Sequence, residues 1–365
     1  MTQEFDYQTS DEQAEEAAWA LAEQAAGAEG SEQQARVAEI RATASGMDDA
    51  QLREGTLASI AQYLAPGVPD EALIQLLDGI DSHAVAAQTA ATLAAQRFRA
   101  GRSLQRLQDY ADTRAGQVAS RLAAVETGLA LARQRLATDQ AVAGVLTRAE
   151  ERLGEPGTEV AGIERALELA TVWAQAGETA RARARLDELV GSSLGPLEPG
   201  PARQSLLLRA LDLYLVLGAA DAALALLDKL EPEAADLSAR RAAQKALEGP
   251  GDFAIADRFI AVIERPHERF LALESRLAKA WEISDGAQQE ATAEAIAKLV
   301  PQLEPGQEQA EAALVLARHA GEGARERVAT QWLERARAQA QAAEPPQRAI
   351  LIRRIDGLEA ALGLR

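Results

Sequence analysis

The chain has 365 residues, of which 47% are hydrophobic and 4% aromatic, and its formal net charge is −18. A field of that sign repels a phosphate backbone, so general nucleic-acid binding is not expected, although local basic patches remain able to hold an anion. The absence of cysteine rules out disulfides, thiolate metal sites and cysteine nucleophiles.

Alanine fills 83 positions. With Leu, Arg, Glu and Gln it makes a composition of strong helix formers, and no stretch alternates β-branched and aromatic residues long enough for a strand. The expected fold is all-α. Basic residues are 34 Arg to 4 Lys, which reads as a codon-composition signature. The opening, MTQEFDYQTSDEQAEE, is too acidic for a secretory signal, and no apolar run approaches the ~18 residues of a membrane span. The expected compartment is the cytoplasm.

In chain order, residues 1–9 read as a disordered acidic arm, with no Lys or Arg before Arg36. Helices with i, i+3, i+4 apolar spacing follow over 10–27, 31–45, 48–64, 69–79, 82–99, 102–114, 116–136, 139–153, 159–176 and 178–190. Ser31, Asp48-Asp49 and Asp81-Ser82 supply capping chemistry. The segment 191–200, within GSSLGPLEPGP, is the longest expected loop, either a hinge between an array over 10–190 and one over 201–365 or a plain inter-repeat insertion. Helices resume over 201–217, 219–230, 234–248, 252–264, 266–283, 287–303, 307–320, 323–342 and 347–363, with Pro266 at a first-turn position. Grouped in succession, they make about nine antiparallel pairs plus a C-terminal capping helix, the pattern of an α-solenoid.

Two successive units carry the clearest repeat, IERALELATVWAQAGETARARARLDELV and RQSLLLRALDLYLVLGAADAALALLDKLEP. Aligned on Gly177 and Gly218, Trp173 matches Tyr214, Ala182 matches Ala223, Leu186 matches Leu227 and Leu189 matches Leu230, all at an offset of 41 residues. Glycine closes a turn that a Cβ would strain, the small Ala lets two helices approach, and the Leu pair with the aromatic fills the space between them. Gly101, Gly286 and Gly321 mark weaker units. The pattern resembles the tetratricopeptide repeat. The short polar links in IERPHERFLALESRLAKA and IDSHAVAAQTAATLAA are similar to those of degenerate bacterial repeat proteins of that type. The resemblance implies a right-handed solenoid whose first helix of each pair lines a concave binding face. On that face it places Glu168, Thr171 and Gln175, then Arg209, Asp212 and Leu215. Of the basic and Asn side chains that peptide clamps of the family use, the chain supplies Arg209.

Catalytic constellations are not found. His83, His267 and His319 are widely separated, and no HExxH, GxxxxGK[ST] or GxSxG occurs. The expectation is a protein without catalysis, cofactor or metal. Arg97, Arg99, Arg102 and Arg106 cluster across one turn and are candidates to grip an acidic peptide or a terminal carboxylate, while Arg181, Arg183, Arg185, Arg348, Arg353 and Arg354 form smaller groups. The expected function is a scaffold binding a peptide or protein on its concave face. The alternatives are a self-assembling structural or regulatory protein and, third, a helical-repeat enzyme or nucleic-acid binder. Oligomeric state is left open by the sequence.

Overall fold

A computed structural model describes residues 9–364, so the arm expected over 1–9 lies outside the described residues except for Thr9. Thr9 caps the first helix, exchanging bonds with Glu12 in a capping box. Nineteen α-helices and no strand occur among the described residues: α1 (Ser10–Gly27), α2 (Gly30–Ala44), α3 (Ala50–Leu64), α4 (Asp70–Leu77), α5 (His83–Arg99), α6 (Gln105–Gly116), α7 (Arg121–Leu136), α8 (Ala143–Leu153), α9 (Val160–Gln175), α10 (Thr179–Leu189), α11 (Pro201–Val216), α12 (Ala220–Leu227), α13 (Pro232–Ala246), α14 (Phe253–Ala261), α15 (Pro266–Glu282), α16 (Gly286–Leu299), α17 (Gln307–Glu322), α18 (Glu326–Ala342) and α19 (Pro345–Ala361). The fold is an α-solenoid of successive helix hairpins. The chain divides into two compact units, Met1–Leu206 and Leu207–Arg365. The division falls inside α11, whereas the expected loop begins with a π-helical turn, Val190–Leu194, that buries Ser193 and Leu194.

In the first unit each odd helix packs on the next, α1 on α3, α3 on α5, α5 on α7 and α7 on α9, and on its own hairpin partner. Asp49 caps α3 through the amides of Gln51 and Leu52, and Ser82 caps α5 through that of Val85. Ser31 caps nothing, because α2 begins one residue earlier, at Gly30, after Glu29. Alanine sets the spacing. Ala86, Ala87, Ala90 and Ala94 are buried along α5, and a Cβ on Gly128 of α7 would stand 2.9 Å from that of Ala149 in α8. Small side chains let neighbouring backbones close to a distance that Leu would forbid.

Seven of the hairpin turns share one device. Gly101, Asp139, Gly177, Gly218, Gly251, Ser284 and Ala324 all take positive φ. At six of these turns the next amide reaches back five residues, from Arg102 to Arg97, Gln140 to Arg135, Glu178 to Trp173, Ala219 to Tyr214, Asp285 to Ala280 and Arg325 to Ala320. This is the Schellman closure, which satisfies carbonyls that a helix end would orphan. The acceptors Arg97, Arg135, Trp173 and Tyr214 fall 38, 38 and 41 residues apart, so the hairpin is the repeating unit. Gly286 and Gly321, expected as turn residues, are not: Gly286 opens α16 and Gly321 lies inside α17.

In the second unit α13 pairs with α14, α15 with α16 and α17 with α18. The last helix, α19, packs on both α17 and α18. Leu351 and Ile355 of α19 join Ala313, Leu314, Ala317, Leu333 and Ala336 in one cluster, which gives the unit its cap. Gly321 belongs to this cap, since a Cβ there would meet Leu362 at 2.5 Å.

Side chains also tie neighbouring hairpins together. A carboxylate near the start of one odd helix accepts from the backbone that opens the next. Asp11 takes the amides of Asp48 (3.0 Å) and Asp49 (2.8 Å). Glu54 takes that of Ser82 (2.8 Å), and buried Asp236 takes those of Glu264 (2.8 Å) and Arg265 (2.9 Å). Amides at a helix start carry partial positive charge, so carboxylate is the matching group. The backbone amides hold the Asp11 carboxyl below its ordinary value. Cations do the converse work on carbonyls at helix ends: Arg121 donates to Leu153, Arg185 to Gly154, Lys279 to Gly249 and Arg348 to Ala343.

Candidate functional site

Arginine clasps account for much of the basic patterning. Arg97 is not available to a partner. It is buried in the wall of α5, donates to the Val68 carbonyl and lies 3.4 Å from Asp70. Burial pushes its guanidinium below the ordinary value, and Asp70 draws it back. Arg99, Arg102 and Arg106 are exposed, but Arg106 is paired with Glu71. The four residues therefore do not form one grip. Arg181 contacts Glu150 (2.6 Å) and lies over the Trp173 ring at 4.1 Å, while Arg183 pairs with Asp187 (2.8 Å). Arg354 pairs with Glu311 at 3.4 Å.

The positions implied by the repeat resemblance fare unevenly. Glu168 is half-buried and engaged by Arg165 (3.1 Å) and Arg133 (3.7 Å). The Thr171 hydroxyl donates to the Leu167 carbonyl (2.8 Å), and Gln175 is exposed. These three belong to the first unit. In the second, Arg209 and Asp212 are exposed, and Leu215 lines a hollow of about 220 Å³ with Ala242, Ala246 and Ile255. The packing predicted from the alignment is present, with Trp173, Tyr214, Ala182, Ala223, Leu186, Leu227, Leu189 and Leu230 all buried.

The histidines sit apart. His83 faces Arg114 (3.0 Å), which also reaches Tyr110 and Asp78. His267 lies 3.2 Å from Glu308. His319 is buried on α17, where its Nε2 accepts from Arg325 at 2.8 Å and its ring meets Trp281 edge-on at 5.6 Å. A neutral imidazole that accepts on Nε2 carries its proton on Nδ1, and that Nδ1 finds no partner among the described residues. Burial, with Arg325 adding to it, holds the His319 pKa below its ordinary 6.5.

His319 forms one wall of a cavity of about 560 Å³, which lies wholly within the second unit between α15 and α17. Its origin is local. Seven residues, 300–306, join α16 to α17, with a 3-10 turn over Val300–Gln302. The two odd helices that follow one another here touch much less than α13 with α15 or α17 with α19. The furrow left between them is walled by Glu274, Leu277, Ala278, Trp281 and Glu282 of α15 and by Val315, Arg318, His319 and Glu322 of α17. Positions 274, 278 and 282 recur every four residues and so share one face of α15, as 315, 319 and 322 do on α17.

The charges of the furrow are unequal. Glu322 holds Arg318 (2.8 Å) and Glu282 holds Lys279 (2.8 Å). Glu274 has no hydrogen bond or ion pair among the described residues. Burial pushes its pKa up, Glu311 adds to the rise, and Arg354 opposes it. An unpaired carboxylate therefore stands beside an apolar wall of Leu277, Ala278, Trp281 and Val315.

Glycine anchoring did not find this furrow, because the turns beside it are closed by Ser284 and Ala324. A register read from contacts does find it. His267 meets Glu308 at an offset of 41, and the same offset sets Glu274 opposite Val315 and Ala278 opposite His319.

No protein-family model matches the chain, and no curated protein does. A solved structure described as a "Circular tandem repeat protein with novel repeat topology and enhanced subunit contact surfaces" is 13% identical, over 91% of this chain and 76% of its own, with a TM-score of 0.19.

Proposed function

We propose that this protein is a non-catalytic interaction scaffold, a degenerate tetratricopeptide-like array that receives a protein or peptide partner on its odd-helix face. The observation that carries the reading is the furrow between α15 and α17. It is an open groove of about 560 Å³ with an apolar wall and an uncommitted carboxylate, in a chain where many other charges are held by its own backbone or by opposite charges. Concave sites with a few polar groups on an apolar lining are the usual form of binding sites. The aligned aromatic, Ala and Leu positions and the left-handed turn residues favour the tetratricopeptide likeness. The cysteine-free sequence is in keeping with a cytoplasmic setting. Among the described residues no helix is long and apolar enough to cross a membrane.

The test is photo-crosslinking in the native cell from a benzophenone side chain at Ala278 in the furrow, with a control at exposed Gln51 of the first unit. The expected result is a defined polypeptide attached from position 278 and absent from position 51. A second copy of this chain as the captured species would transfer the reading to self-assembly. Absence of any product, or equal products from both positions, would remove the scaffold reading.

A further inference from the structure

We infer that the α15–α17 furrow is a socket for a basic side chain, an arginine or lysine presented by the partner polypeptide, whose stem lies on Trp281, Leu277 and Val315 and whose charged head meets Glu274. The inference rests on the scaffold reading and names the chemistry of its site. Two observations carry it.

The first is charge. Four carboxylates belong to the furrow or its edge, Glu274, Glu282, Glu322 and Glu311, and the cations near them are already held: Arg318 by Glu322, Lys279 by Glu282 and Arg354 by Glu311. Arg325 is held by Glu290 (2.9 Å) and lies against His319. An incoming anion would meet carboxylates and no uncommitted cation, whereas an incoming cation would meet Glu274 with its lone pairs unused.

The second is shape. Leu277, Ala278, Trp281 and Val315 form a continuous apolar strip beside Glu274. Arginine and lysine need such a strip for the stem and a polar end for the head, and an indole attracts a cation laid on its face. A purely apolar side chain would leave Glu274 desolvated and unpaired, the costlier arrangement.

The test uses the full chain, amide and indole NMR spectra, and three blocked amino acids of similar reach as probes: N-acetyl-arginine amide, N-acetyl-norleucine amide and N-acetyl-glutamic acid amide. The arginine probe should give saturable shifts at the Trp281 indole and at the amides of Ala278 and His319. Norleucine should bind about tenfold more weakly, the factor expected of one charge-assisted hydrogen bond, and the glutamic probe should not bind. Glu274→Gln should erase the arginine preference. Val315→Trp should block both probes with the rest of the spectrum unchanged. Equal binding of norleucine and arginine, preference for the glutamic probe, no saturable shift, or arginine binding that survives Val315→Trp would each overturn the socket. If position 278 captures a polypeptide but arginine has no preference, the scaffold stands and the socket falls. If arginine binds and no polypeptide is captured, the scaffold reading falls, and with it the assignment of the socket to a partner chain.

Discussion

Gly218 and Ala324 occupy the same turn position in the second unit, at φ of 68° and 55°, yet one is the residue suited to that backbone and the other is not. Exchanging their identities isolates the backbone contribution. A Cβ on Gly218 meets nothing within 4 Å, so Gly218→Ala adds no clash. An L-residue in the left-handed region costs about 1–2 kcal/mol, and alanine recovers about 0.4–1 kcal/mol by restricting the unfolded chain. The net expectation is a loss of about 1 kcal/mol for Gly218→Ala and a gain of similar size for Ala324→Gly. Urea unfolding followed by circular dichroism reads both as opposite displacements of the midpoint at constant slope. Combined in one chain, the two should nearly cancel, because the turns lie in different hairpins. If Ala324→Gly destabilises, or if both changes move the midpoint the same way, the left-handed turn is not what limits these hairpins.

Three further outcomes follow from the clasps and buried groups. Arg97→Met should cost about 2–3 kcal/mol in urea unfolding, because it orphans a buried carbonyl and leaves Asp70 unpaired, while Arg99→Ala should leave the midpoint within about 0.5 kcal/mol; similar losses from both would contradict the assignment of Arg97 to the wall of α5. The Asp11 carboxyl, held below 3.8 by two amides, supports folding above that value and loses the support as pH falls through its folded pKa. Amide exchange at Asp48 and Asp49 should therefore quicken in acid in the wild type and be fast at every pH in Asp11→Ala. The depressed His319 means that the unfolded chain binds the proton first, so the second unit should lose stability as pH falls below 6.5. Melting temperatures of wild type and His319→Asn should converge as the pH is lowered through that range, and parallel curves would refute the assignment.

The helices were legible for a physical reason. Alanine-rich text with regular punctuation leaves the backbone few alternatives, and every expected helix has a counterpart within a few residues. The turns were legible only where glycine marks them. Gly101, Gly177 and Gly218 were found; Asp139, Ser284 and Ala324 were not, because a single positive φ closed by a Schellman bond is tolerated by residues that carry no such signal. Gly286 and Gly321 mark the later units in the sequence but neither lies at a turn, so the register that opposes Glu274 to Val315 is not visible there. Arg97 is hidden from a sequence pattern for a related reason. Four arginines in ten residues look like a patch, but the helical period turns one of them inward, to a carbonyl 29 residues away, a distance no local pattern reports.

Those inward arginines give the argument for the furrow its force. In a chain with 38 cations and 56 carboxylates, abundance says nothing about binding, and any surface shows an apparent cluster. What discriminates is whether a charge is already used. Asp11, Glu54 and Asp236 are spent on amides, Arg121, Arg185 and Arg348 on carbonyls, and Arg181, Arg318 and Arg354 on carboxylates. Glu274 lines the furrow as an exposed side chain with no hydrogen bond or ion pair among the described residues. The fold does not need that carboxylate, since the side chain is exposed and glutamine would fill the same volume. A carboxylate that holds nothing of its own chain and fits an incoming cation is better accounted for by recognition than by architecture.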